Sequence, residues 1–402
     1  MGALSTIEQE AVERAAAEPM LEQVLEWSAI NSGSRNLEGL ERMASILADA
    51  FASLPGEVRL LAPEPVESVD SSGSRRAVEH GRNLHLAVRP AAAVQLLFTG
   101  HMDTVFGADH AFQQTRWLED GVLNGPGVAD MKGGIAVMLA ALKAVEASKA
   151  AAGIGYEVVI NADEEVGSLA SAPLIATAAS GKLAALTYEP SARPDGTLAG
   201  ARPGSGNFSI VVHGRSAHAG RNPEDGRNAV LAAADLALRL EKLVRDGLTV
   251  NPGRIEGGGP TNVVPDLAVL RVNLRPRTRE IEDEATQRIA EAVSAVAAER
   301  DVKIDLHGGF DRPPKPMTQE MERLFELVRK AGADLGREIG WQPSGGVCDG
   351  NNIAACGVPV VDTMGVRGGK IHSMEEYLIS DSLGERAALS ALAILRIAER
   401  GR

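Results

Sequence analysis

Apolar positions recur with helical spacing over residues 7–28 and again over residues 37–54, and the turn-like run NSGSRN separates the two stretches. Short β-like runs follow: EVRLLAP, NLHLAVRP and VQLLFTGH. GGIAVMLAALKAVEASKA has a helical pattern with glycine at its start, and YEVVINAD and LAALTYEP are continuous apolar strands that end in carboxylates. Continuous apolar strands alternating with helices predict an α/β sheet covered on both faces.

The pattern changes near Arg202. SGNFSIVVHG alternates as a half-buried strand, RNAVLAAADLALRLEKLVRD is an amphipathic helix, and LTVNPGRIEG and LAVLRVNLRP are two further strands. IEDEATQRIAEAVSAVAAER is a second helix and VKIDLHG a last strand. The order β-α-β-β-α-β is that of a split βαβ, ferredoxin-like α+β module. After the proline-rich joint DRPPKP the α/β character returns, through MERLFELVRKAGADLG and VPVVDTMG to a closing helix. The reading is a discontinuous α/β domain, residues 1–201 and 314–402, with a small α+β domain of residues 202–313 inserted into it.

Composition narrows the function classes. The chain has 402 residues, long enough for more than one domain, and 44% apolar residues can fill a core. Aromatics are only 3%, so aliphatic side chains and alanine carry the packing. Lys+Arg 41 against Asp+Glu 54 gives a net charge of −13, which argues against a nucleic-acid or anionic-membrane binder. No apolar run approaches a membrane span, and the first residues lack the basic-then-apolar pattern of a signal peptide. Cys348 and Cys356 fit neither a disulfide framework nor a zinc ribbon, and read as reduced thiols in a cytoplasm.

In open α/β sheets, ligands bind beyond the carboxyl ends of the strands. Unusual polar residues stand at those ends here. LLFTGHMDTV ends in His101 and Asp103, and GPGVADMKGG sets Asp130 in a glycine-flanked turn before a helix. INADEEVGS brings Asp163, Glu164 and Glu165, LTYEPS brings Glu189, and KIHSMEEY brings His372. Bare carboxylates after an apolar run such as VVIN are costly without a partner. Two imidazoles with several carboxylates suit a zinc-like metal better than Mg²⁺ or Ca²⁺, which prefer oxygen alone.

With GHMDTV, GPGVADMKGG, DEEVGS, YEPS, GRSAHAG, NVVP and IHSMEEY, nearly the whole chain resembles the two-zinc metallopeptidases that include glutamate carboxypeptidase, succinyl-diaminopimelate desuccinylase and acetylornithine deacetylase. The likeness is greatest to the bacterial glutamate carboxypeptidases. The resemblance implies two Zn²⁺, with Co²⁺ or Mn²⁺ as substitutes. Asp130 would bridge them, His101 and Glu189 would complete one site, and Glu165 and His372 the other. Glu164 would be the general base, and Asp103 would hold the His101 imidazole. His218 in GRSAHAG would donate to the oxyanion, often across a dimer, and Asp130–Met131 would be a cis peptide. Arg275 and Asn262 match residues that hold the free carboxylate of the substrate, and the Gly345–Gly346 loop would line the side-chain pocket, with Gly346 in contact. The family more often carries a second acid where this chain has Met131. The inserted domain would serve as a lid and as the interface of a homodimer.

The resemblance implies an exopeptidase that releases a C-terminal Glu or Asp from peptides, poly-acidic chains or folate-like conjugates. The alternative is an N-acyl-amino-acid deacylase with the same metals and a different pocket. A serine hydrolase is disfavoured, because GRSAH lacks the last glycine of G-x-S-x-G and opens no strand–turn–helix elbow. A non-catalytic binding protein would show a damaged ligand set, and every ligand position is filled.

Overall fold

The computed structural model describes residues 4–401. Its six-stranded sheet runs, from edge to edge, Glu57–Leu61, Asn83–Val88, Ile154–Asn161, Val94–His101, Ala184–Thr187 and Val360–Val361. The first two joins are antiparallel and the last three parallel, so the sheet is mixed. Its parallel strands read as apolar runs because helices cover both faces. Helix Gly133–Glu146 is buried almost throughout and packs on Thr6–Ala16 and Ser382–Arg400. That explains why GGIAVMLAALKAV carries no polar face.

The register of the parallel strands does the positioning. His101 pairs with Asn161, and Thr99 pairs with Thr187. The segments that leave these strands therefore emerge at one edge of the sheet, carrying His101, Glu164, Glu165 and Glu189 together.

A second sheet is antiparallel, in the order Leu248–Gly257, Leu267–Pro276, Ser205–His213, Lys303–Arg312. Helices Ala229–Glu241 and Arg279–Arg300 cover one face of it around a separate cluster that includes Ile210, Leu236, Leu270 and Ile289. The chain order β-α-β-β-α-β and the sheet order are those of a split βαβ module, as the alternation of residues 202–313 predicts. Pro252 falls in the edge strand at a register shift, where a missing N–H costs no ladder bond.

Two details differ from the sequence expectation. Residues 7–28 form two helices, Thr6–Ala16 and Met20–Ser28, because Pro19 removes an N–H and disfavours helical geometry in the residue before it. A hairpin of Val66–Val69 and Arg75–Val78 escapes the periodicity, since its run VESVDSSGSRRAV is mostly polar. Only Val69 packs inward, against Val211 and Val269 on the other face of the second sheet.

Candidate metal centre

His101 closes its strand with the imidazole almost fully buried. Asp130 stands in the turn Val128–Lys132, and the Asp130–Met131 peptide is cis. Both oxygens of Asp130 are engaged, on opposite sides: Oδ1 is 3.1 Å from His101 Nε2, and Oδ2 is 3.2 Å from His372 Nε2. On the first side Glu189 Oε2 lies 3.7 Å from His101 Nε2. On the second, Glu165 Oε2 lies 3.1 Å from His372 Nε2. One carboxylate thus stands between two half-sites, each with an imidazole and a further carboxylate.

The turn that offers Asp130 is itself held by a buried acid. Glu376 accepts from the backbone N–H groups of Gly127 (3.3 Å), Ala129 (3.0 Å) and Asp130 (3.1 Å). On the other side Gly134 has its backbone against the carbonyl of Tyr188, where a Cβ would lie 1.9 Å from that oxygen. Glycine there lets the helix start close to the strand end that carries Glu189. His372 comes from the turn between Gly368–Gly369 and Tyr377–Ile379. Lys370 and His372 both have positive φ (58° and 62°), an uncommon conformation that reverses the chain tightly.

Asp103 stands beside the His101 imidazole and has a further role. His101 Nδ1 donates to the backbone carbonyl of Asp103 at 3.0 Å, and the carboxylate is farther, with Oδ1 at 3.4 Å. The carboxylate also accepts from the N–H groups of Glu164 (3.1 Å) and Glu165 (3.2 Å) and from Ser34 Oγ (2.7 Å). The first N–H groups of a helical turn lack internal partners, and a carboxylate is their strongest cap. Asp103 therefore aims both members of the Glu164–Glu165 pair.

The electrostatics are those of anions short of cations. Burial pushes Glu164 up to about 7 and Glu165 up to about 8, with neighbouring carboxylates adding to both shifts. His372 is pushed up to about 11 by its hydrogen bonds to Asp130 and Glu165. Burial opposes ionisation of Asp130, yet His101 and His372 hold it below the usual carboxylate range. Protonated imidazoles supply positive charge that divalent cations can replace. Ligand atoms of His101, Asp130 and Glu165, and of His101, Glu164 and Glu189, converge within 4.8 Å. Nitrogen and oxygen donors in such groups fit a borderline metal.

The cluster opens on a cleft of about 650 Å³ lined by Asp130, Glu164, Glu189, Arg202, Gly346 and His372 among others. A family model described as peptidase family M20/M25/M40 matches residues 97–396. The chain belongs to that family. It is 30% identical to carboxypeptidase G2 of Pseudomonas sp. (strain RS-16) over 325 residues, 78% of this chain and 77% of that protein. It is also 30% identical to succinyl-diaminopimelate desuccinylase of Maricaulis maris (strain MCS10) over 321 residues, 73% of this chain and 79% of that one. The fold matches that of a dinuclear metal-binding peptidase from Bacillus subtilis with TM-score 0.68 and 14% identity, over 94% of this chain and 98% of that one. Membership makes the chain a metal-dependent hydrolase of the M20 type.

The remaining residues expected at an M20 site fall into two places. Arg275 does not itself line the cleft but touches its wall, with Nη1 donating to Gly345 O at 3.0 Å. His218 and Asn262 lie together but apart from that cleft. Ala219 N donates to Asn262 O at 2.9 Å, both residues are exposed, and neither lines the cleft within this chain.

Several functional neighbours escaped the sequence reading. Arg202 and Lys315 pair their backbones in both directions (2.9 and 3.0 Å), and each side chain lies 2.7 Å from the buried Asp362. The sequence reading of joints at Arg202 and in DRPPKP gave no sign of this shared carboxylate. Glu376 follows Glu375 in IHSMEEY, and nothing in a Glu–Glu pair says that only the second is buried. Arg312 and Asp349 are buried beside Glu164 without forming any recognisable motif. Among the described residues no helix is long and apolar enough to cross a membrane.

Proposed function

We propose that this M20 protein is a di-zinc amidohydrolase that cleaves an amide next to a free carboxylate, most simply a carboxypeptidase releasing C-terminal Glu or Asp. The observation that carries the metal assignment is the two-sided engagement of Asp130 by His101 and His372. His101, Asp130 and Glu189 would hold one ion, and Asp130, Glu165 and His372 the other. Bound there, two such ions supply Lewis acidity and lower the pKa of water.

The protein groups manage the proton. Glu164 faces the cleft and, as general base, would take a proton from the attacking water as the new C–O bond forms. It would return that proton to the leaving nitrogen as the C–N bond breaks, giving a carboxylic acid and an amine. Asp103 aims Glu164 through the backbone N–H of its turn, next to the half-site of His101 and Glu189. What supports a carboxypeptidase is the likeness to carboxypeptidase G2 and the guanidinium of Arg275 against the cleft wall, a suitable clamp for a carboxylate. Gly346 borders the same cleft and would contact the side chain of the substrate.

The likeness to succinyl-diaminopimelate desuccinylase favours the second reading, an N-acyl-amino-acid deacylase. A panel of peptides ending in Glu or Asp, set against N-acetyl and N-succinyl amino acids, separates the two. Acidic-terminal peptides are expected to be turned over with the higher kcat/KM, and chelator is expected to abolish activity. Preference for the N-acyl amino acids would replace the carboxypeptidase reading. Activity that survives metal removal would end both.

Residues 202–313 would form a lid and dimerisation domain on the catalytic domain of residues 1–201 and 314–402. His218 is exposed and away from the cleft of its own chain, so it would serve as oxyanion donor to a partner subunit, with Asn262 beside it. His218→Ala is expected to lower kcat about 100-fold with metal content unchanged. Mixing it with Glu164→Gln protein, under conditions that exchange subunits, is expected to restore activity, since one hybrid site would be intact. Verified heterodimers without activity would refute donation across the dimer. The free thiols, Cys348 and Cys356, suit a reducing cytoplasm.

A further inference from the structure

Arg312 ends the strand Lys303–Arg312, three residues before the joint at Lys315. It pairs with Ser205 beside a register shift, where the second sheet meets the chain segments that return to the first. Its guanidinium leaves that sheet and enters the catalytic unit, and the residue is only 6% exposed.

There it meets the loop of the general base. Nη2 donates to the backbone carbonyl of Glu164 at 2.9 Å and to Ser168 Oγ at 2.8 Å, and it lies 2.7 Å from Glu164 Oε1. Ser168 Oγ in turn donates to Asp349 Oδ1, which is 3.6 Å from the same guanidinium. Both protons of Nη2 are taken by the carbonyl and the hydroxyl, so Glu164 Oε1 is close to the cation but has no aligned donor. The guanidinium keeps donors in reserve. Nε is buried without a partner, and Nη1 holds only a 3.5 Å contact to Val347 O. A small turn of the arginine would bring one of these spare donors to Oε1.

We propose that Arg312 is a positioning residue that fixes the Glu164 carboxylate and, being carried on the joint, makes the aim of the base depend on the position of the second sheet. This rests on the reading of Glu164 as general base. A base must be held within a fraction of an ångström of its proton, and misplacement by about 1 Å costs on the order of 100-fold. A carboxylate anchored at one oxygen by a bidentate-capable cation meets that demand better than one held by the chain alone.

The test compares Arg312→Met and Arg312→Lys with wild type on the best amide of the substrate panel. Arg312→Met is expected to lower kcat about 100-fold with KM within about twofold and metal content unchanged. Added guanidinium chloride at millimolar concentration is expected to restore part of kcat. Arg312→Lys, which keeps the charge and guards against a misfolded Met variant, should fall between. In a Glu164→Gln background, Arg312→Met should cost less than about threefold more, because the group it positions is already lost.

A large rise in KM with kcat kept would mean that Arg312 holds substrate and would overturn the proposal. So would wild-type kcat in both Arg312 variants, or full additivity with Glu164→Gln. Full activity of Glu164→Gln by itself would sink the base assignment instead, which separates the two failures.

Discussion

Asp130→Ala protein is expected to retain neither metal nor measurable turnover. Asp130 is the one carboxylate among the described residues whose two oxygens face both His101 and His372, at 3.1 and 3.2 Å. Removing it takes a donor from each half-site at once, whereas Glu189→Ala or Glu165→Ala removes a donor from one. Each half-site would keep one imidazole and one carboxylate, too few for a four-coordinate ion. Metal content after desalting, read by elemental analysis beside turnover, checks this. Asp109→Ala, an exposed acid outside the cluster, serves as the control and should keep both. An Asp130→Ala protein that carried the wild-type complement of metal would refute the bridging role, whatever its activity.

The second large effect separates two adjacent acids. Glu164→Gln is expected to keep its metal and lose about a thousandfold or more in kcat, because the change removes a proton acceptor while preserving shape. Glu165→Gln is expected to lower metal content first, since Glu165 Oε2 is 3.1 Å from His372 Nε2 beside Asp130. The contrast is informative because Glu164 also lies within ligand reach of His101 and Glu189. If Glu164→Gln lost metal while Glu165→Gln kept it, the base would have to be assigned to Glu165. Both acids are pushed upward by burial, so their chemistry is set by what surrounds them, and bound cations would restore their charge.

The sequence by itself determined the elements and the donor types. Continuous apolar strands ending in His101, Glu165 and Glu189 could be read because a strand buried on both faces has no polar position until it leaves the sheet. The glycines before Ile135 marked the start of a buried helix, and the β-α-β-β-α-β order marked the second module. Family motifs supplied the roles proposed for them. What periodicity could not reveal were partners distant along the chain. Glu376 holds the Asp130 turn across 246 positions, and Arg312 reaches Glu164 across 148.

Buried charges of this kind leave no local signature, because an isolated Arg or Glu looks the same in a solvated loop as in a site. Only the tertiary structure decided that Asp103, beside the imidazole, also caps the Glu164–Glu165 turn. It also decided that Arg202 and Lys315 share Asp362, and that the two oxygens of Asp130 divide between two histidines. Each outcome depends on strand register and on which face of a turn meets a neighbour. Those are set when two sheets and their covering helices pack together, and a single stretch of sequence does not contain them.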